Sequence, residues 1–270
     1  MSVQTAQARS TRRESPYRLS FLHALRSEWI KLTTLRSTWW SIGITAVLTV
    51  GLAMLMAQAT AGFGIEPIQV VVAPIQFTML LAGILGAIAV TGEYSTGMIR
   101  STLTAQPVRG GVLAAKATVL AVFLFVASLV IFLVAALAVS PLLAGKDLGL
   151  DWGDFDGTLR PILDASAAIA VFALIGVAFG FILRSGVGAI AATVGVLFVL
   201  PIVSSMFSMA GEAWQWIQDA AQYLPMPAAQ NVILPQDDWG LSAPVASLTL
   251  ACWVVAGMLG AWAVLRTRDA

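Results

Sequence analysis

Charge is scarce in this sequence. Only 11% of its 270 residues are Asp, Glu, Lys or Arg, against 59% apolar, and the mean hydropathy is +0.87. A soluble domain carries roughly a quarter charged residues, so the polar surface needed to keep this chain in water is missing. Cysteine is reduced to Cys252, which excludes an intrachain disulfide framework. Histidine is reduced to His23, which excludes His-built metal centres and Ser–His catalysis within the apolar segments. No G-x-x-x-x-G-K-[ST] occurs, because Gly145-Lys146 is followed by Asp147, so P-loop hydrolysis of a nucleotide is excluded. The acidic run Asp147, Asp151, Asp154 and Asp156 lacks EF-hand spacing and a closing Glu, and reads as a solvated loop. The expectation is a chain with no catalytic residues, no metal site and no cofactor of its own. Nothing in it points to nucleic acid.

What is present is a set of uncharged runs long enough to cross a hydrocarbon core of about 30 Å. Six are predicted, at about 38–58, 70–91, 117–143, 163–183, 187–208 and 242–265. Each is apolar all round, and none alternates with the period of two that marks a barrel strand. The fold class expected is therefore an all-α integral membrane protein with six transmembrane helices. The first run follows about 36 residues of leader, too many for a signal peptide, and is read as a retained span.

The charges set the predicted orientation. Seven Lys and Arg precede the first span, and Arg100, Arg109, Lys116, Arg184, Arg266 and Arg268 fall on the same side. The other side holds only Lys146 and Arg160, with most of the acids, including Asp237 and Asp238. The positive-inside rule then places both termini in the cytoplasm of a multi-pass plasma-membrane protein. No ionisable residue lies near the middle of a span, which argues against ion-coupled transport. A passive or ATP-driven path lined by Gln58, Gln76, Thr78 and Ser128 stays open. Gly176-x-x-x-Gly180 offers a close-packing face, possible at a protomer interface.

Three segments lie between or before the spans. Residues 1–17 read as a disordered leader. Residues 18–36 carry Leu22, Leu25, Trp29 and Leu32 on one helical stripe, with Arg26, Lys31 and Arg36 mostly on other faces. This pattern predicts either an interfacial helix with its basic residues near lipid phosphates or a basic patch that only fixes topology. At 210–235, Trp214, Ile217, Ala221 and Leu224 recur at helical spacing beside Trp216 and Tyr223, and Pro225 and Pro227 end that helix. It is either a short re-entrant element or a surface helix on the outer face. The tail is 266–270.

The third segment, 92–116, is the longest polar stretch between spans on the termini side. Ser95–Leu103 is predicted as a short helix, broken by Pro107 and Gly110-Gly111 ahead of Arg109 and Lys116. Such a helix can receive a push from a soluble partner. Its Glu93-Tyr94-x-x-Gly97-x-Ile99-Arg100-x-x-Leu103 pattern, followed by Pro107 and Arg109, resembles the second-to-third loop of permease subunits of type-2 ABC exporters. The leader, with Ser27-Glu28-Trp29-x-Lys31-Leu32 and Leu35-Arg36-Ser37-Thr38-Trp39-Trp40, is similar to the N-terminal pattern of actinobacterial members. The resemblance covers essentially the whole chain, and departs at Met98, where many relatives have Thr.

That resemblance implies an exporter permease dimer, of like or unlike copies, bound to separate ABC ATPase subunits that carry ATP and Mg. The 92–116 loop would hold the coupling helix. Glu93 would anchor the loop's base through a polar contact, with Tyr94 beside it. Gly97 would permit close approach, Ile99 and Leu103 would offer apolar contact to the ATPase, and Arg100 would lie at the rim. Leu25, Glu28, Trp29, Lys31 and Arg36 would belong to the leader helix packed alongside. A membrane scaffold or sensor that tethers a partner, and a secondary carrier, are the alternatives.

Overall fold

A computed structural model of the chain describes residues 20–59, 65–105, 108–146, 148–207, 211–235 and 240–267. The leader at 1–17, Pro107, Asp147, Asp237, Asp238 and Arg268 lie outside them. The described residues are helical, with no strand among them. Six helical segments are long and apolar enough to cross a membrane.

Helix α1 (Phe21–Thr34) precedes the first span, α2 (Arg36–Ala59). The second span starts as α3 (Pro67–Val72), turns at Ala73-Pro74 where proline removes a donor, and continues as α4 (Ile75–Ser95). A short α5 (Met98–Ala105) follows, and then α6 (Arg109–Ala144), whose 36 residues extend about 54 Å. A π-turn at Phe155–Leu159 leads into α7 (Arg160–Leu183). The fifth span comprises α8 (Gly186–Val194), a π-turn over Gly195–Val199 and α9 (Leu200–Met206). The π-turn lies just ahead of Pro201, which has no N–H for the regular ladder. After a 3₁₀ turn at Glu212–Trp214 come α10 (Gln215–Ala221), α11 (Pro225–Ile233) and the sixth span, α12 (Ala243–Thr267).

All six expected spans form, with ends close to those expected except at α6. That helix begins eight residues before 117 and absorbs Gly110-Gly111 and Lys116, which were expected in the loop. Lys116 does not end the helix because carboxylates on neighbouring elements neutralise it, as described below. Gly110-Gly111 lies in the first turn, where a Cβ on Gly110 would meet the Trp262 ring at 3.3 Å.

Helix α7 is the centre of the bundle. It packs most extensively on α4 and also on α6, α8, α11 and α12. Helices α2, α9 and α12 leave most of their apolar surface outward, as lipid-facing helices do. Glycine makes the α4–α7 seam possible. A Cβ on Gly176 would stand 1.9 Å from the Gly83 carbonyl oxygen, and one on Gly86 would stand 2.1 Å from that of Ala173. The Gly176/Gly180 face is therefore spent inside one chain, against Gly83, Ala87 and Val90, which corrects its reading as a contact between protomers.

Four buried hydroxyls are satisfied within their own helices. Thr49 donates to Thr45 O (2.7 Å), Ser128 to Leu124 O (2.6 Å), Ser166 to Ile162 O (2.7 Å) and Thr193 to Ala189 O (2.7 Å). Thr78 likewise donates to Ile75 O at 3.2 Å, so the hydroxyl hydrogens of Thr78 and Ser128 are both taken up by their own helices.

Basic residues close the exposed helix ends. Lys146 donates to Ala57 O and Gln58 O, both at 2.7 Å, at the carboxyl end of α2. At the opposite end of the bundle, Arg109 and Arg184 donate to Leu265 O (2.6 Å) and Val264 O (3.2 Å) at the carboxyl end of α12. Cations there satisfy orphan carbonyls and oppose the negative end of the helix dipole.

Candidate functional site

Glu93 at the end of the second span and Lys116 in the third converge with Glu28 and Lys31 of the leader helix in one cluster, at the end of the bundle that carries α1 and α5. Its members come from α1 (Glu28, Lys31), the last turn of α4 (Glu93) and the second turn of α6 (Lys116). Lys116 Nζ donates to Glu28 Oε2 at 2.6 Å and to Glu93 Oε1 at 2.8 Å. Lys31 Nζ donates to Glu28 Oε1 at 2.7 Å, to Glu93 Oε1 at 2.9 Å and to Thr102 Oγ1 of α5 at 3.5 Å. Glu28, Glu93 and Lys116 are 7%, 4% and 5% exposed, and Lys31 is the half-buried member. Two ammonium groups thus face two carboxylates, and the formal charge of the cluster is zero.

Local sequence explains why these residues meet. On α1 the inward line is Ala24, Glu28 and Lys31, spaced four and three residues apart, with Leu25 and Leu32 half-buried beside it. Ser20 caps this helix, its hydroxyl accepting from Leu22 N at 3.3 Å. Leu22 and Trp29 remain outward, 72% and 46% exposed, together with Phe21 and Ile30. The expected stripe is therefore rotated: Lys31 points into the protein rather than towards lipid phosphates, because two carboxylates await it there. Arg36 keeps its expected exposed position at the start of α2. Trp29 and Trp39 both stand edge-on to Phe123 of α6, at 5.8 and 6.3 Å.

Burial alone would raise the Glu28 carboxyl. The Lys116 ammonium and hydrogen bonds from Lys116 and Lys31 outweigh it and hold the group below its ordinary value. Burial would likewise lower Lys31, and hydrogen bonds to Glu28 and Glu93 reverse that and raise it. A carboxyl whose folded-state pKa lies below its unfolded one adds stability above the unfolded value, near 4.5 for Glu28, which is lost as pH falls through the folded value. The raised Lys31 adds stability below about 10.5, lost only above its raised pKa. The thermal midpoint of the purified chain should hold through neutral pH and fall on acidification below about 4.5. Thermal melts should show that acid loss reduced in Glu28→Gln; an equal loss in both proteins would remove Glu28 from the account.

Helix α5 is joined to α4 through Gly97, whose φ of +72° is a left-handed conformation that favours glycine. No atom lies within 4 Å of where its Cβ would be, so within this chain Gly97 makes a turn rather than a close approach. Ile99 is 2% exposed and Leu103 packs half-buried on the core. This corrects the expectation that both face a partner: the apolar side of α5 is used to seat it on its own bundle. The outward side is Met98, Arg100, Ser101 and Thr104, all exposed. Tyr94 is half-buried, its ring edge-on to Phe181 at 6.4 Å and under the Arg184 guanidinium at 5.4 Å.

At the far end of the bundle the 210–235 segment forms two short helices rather than one. The helix before Pro225 does end, at Ala221, and Pro225 also opens α11, since proline fits the first turn, where no N–H is needed. Pro225, Ala228, Ala229 and Ile233 are buried, and α11 packs on α12 and α7. Trp214, Trp216 and Tyr223 stay exposed, and Trp253 Nε1 donates to Tyr223 O at 2.8 Å. In the acidic loop, Asp151 and Asp154 accept from Gly153 N (2.8 Å) and Gly157 N (3.0 Å), a local turn-capping use.

The pairing of Glu28 with Lys116 was not anticipated. A signal for it existed: on a side rich in Lys and Arg, Glu28 and Glu93 are the only acids among the described residues. Compared with known proteins, the chain matches no family model, and no curated protein is detectably similar to it.

Proposed function

We propose that this chain is the membrane subunit of an ATP-driven exporter, worked through α5 by a separate ABC-type ATPase that carries the ATP and Mg. In this reading both termini, α1 and α5 are cytoplasmic, the membrane is the plasma membrane, and two permease copies share the path. The observation that carries it is the seating of α5. A helix of 8 residues sits between two spans, its apolar side on its own bundle and a polar side outward. Thr102 on that helix reaches Lys31, which reaches Glu28 and Glu93, and Lys116 joins both carboxylates. This chain of contacts supports the reading, because it gives a displacement of α5 a contiguous route to α1, α4 and α6.

The outward face of α5 is the part that a motor would touch. Arg100→Glu is expected to lower the ATPase activity of the co-purified complex at least tenfold while leaving the melting temperature of the chain unchanged. Ile99→Asp should instead destabilise the chain itself, because it buries a carboxylate at a 2% exposed site. Co-purification and hydrolysis assays on the two variants separate the outcomes. Undiminished hydrolysis with Arg100→Glu would count against α5 as the docking helix.

A further inference from the structure

Beside the charge cluster lies a cavity of about 600 Å³ between α1, α4 and α6, within the 300–1,000 Å³ typical of ligand sites. All four charged residues line its polar end. Its walls continue into apolar side chains, among them Leu85, Leu120, Phe123 and Leu124. Exposed Leu35, Ile88 and Met98 form the rim. The cavity is therefore amphipathic, with a charged end and a greasy remainder, and α4 and α6 belong to spans.

One atom at the polar end is left over. The ion pairs of Lys31 and Lys116 go to Glu28 and to Oε1 of Glu93, with longer contacts from Lys31 to Thr102 Oγ1 and from Lys116 to Ala89 O. Glu93 Oε2 is buried and has no hydrogen-bond partner among the described residues. A carboxylate oxygen only accepts, so whatever completes this site must donate. The cluster already sums to zero charge, so a net anion gains nothing from it and would face the uncovered carboxylate oxygen. A zwitterion with N–H donors fits both conditions.

The geometry points to a binding site for phosphatidylethanolamine, its primary ammonium donating to Glu93 Oε2 and one acyl chain lying along Leu85, Leu120 and Phe123. An ammonium head carries three N–H donors, whereas the quaternary ammonium of phosphatidylcholine carries none. Phosphatidylglycerol donates from hydroxyls but adds a net negative charge. The site is independent of the transport reading: a lipid bound here holds α1 against α4 and α6 whether or not an ATPase acts on α5.

Native mass spectrometry of the full chain, delipidated and then offered equimolar dioleoyl phosphatidylethanolamine, phosphatidylcholine and phosphatidylglycerol, tests the assignment. The expected result is retention of phosphatidylethanolamine at least fivefold over each of the others. Glu93→Gln should bring the three to parity. Because that variant also disturbs the charge cluster, Leu85→Trp serves as the second arm: it fills the apolar part, leaves all four charges in place and should also abolish the preference at unchanged melting temperature. Equal retention of the three lipids by the wild-type chain overturns the proposal. So does retention of none, or a preference that survives Leu85→Trp.

Discussion

Gly176→Ala is expected to leave little folded protein in detergent, although it adds a single methyl group. The added Cβ would stand 1.9 Å from the Gly83 carbonyl oxygen, and the nearest neighbours are backbone atoms, which cannot swing aside. Overpacking of a tight core costs about 1–3 kcal/mol, occasionally more, and the seam disturbed is the one between α4 and the central helix α7. Gly86→Ala meets the Ala173 carbonyl at 2.1 Å and should behave alike. Gly43 and Gly51 in α2 have no atom within 4 Å of a Cβ, so alanine there should be neutral or stabilising by up to about 1 kcal/mol. Thermal melts followed by size-exclusion chromatography compare the four variants. A wild-type profile for Gly176→Ala would mean that α4 and α7 do not approach as closely as described.

The second large effect is expected at Lys116. Lys116→Met leaves Glu28 and Glu93 sharing only Lys31, a buried cluster with one uncompensated negative charge. Removing one partner of a buried ion pair costs about 3–5 kcal/mol, because the remaining charge is stranded. Adding Glu28→Gln to Lys116→Met returns the cluster to Glu93 and Lys31, with no net charge, and should recover half or more of the loss. Lys31→Met should cost less than Lys116→Met, since the Lys31 side chain is 26% exposed and water stands in for part of what it loses. Equilibrium unfolding of the three variants measures the order. If the double variant were no better than Lys116→Met alone, the four residues would not act as one electrostatic unit.

The spans were legible because each needs only one property, an uncharged run of sufficient length, and hydropathy records that property directly. Where charge and helix length compete, the reading failed. Lys116 looked like the polar end of a loop, and only its partners on α1 and α4, 88 and 23 residues distant in sequence, let the helix continue through it. Lys31 was placed towards lipid for the same reason: a helical stripe shows which residues share a face, but not which face turns inward. Leu22 and Trp29 sit on the outward side of α1, away from the core. Pro225 was legible as a stop but not as the start of α11, since proline suits the first turn of a helix as well as the position after its end. The glycines of α4 and α7 were half legible: Gly176-x-x-x-Gly180 announced a close contact, but its partner surface on the same chain requires the fold.

The measurement that bears most directly on the central claim is site-specific photocrosslinking from α5 in native membranes. A photoreactive residue at Ser101, on the outward side of α5, should yield an adduct with a soluble protein that contains a Walker A motif. The same probe at Trp216, exposed at the other end of the bundle, should not. The Ser101 yield should also change when ATP hydrolysis is trapped. An ATPase adduct from Ser101 and none from Trp216 is the predicted result; no ATPase adduct from Ser101, or equal yields from both sites, would contradict the account.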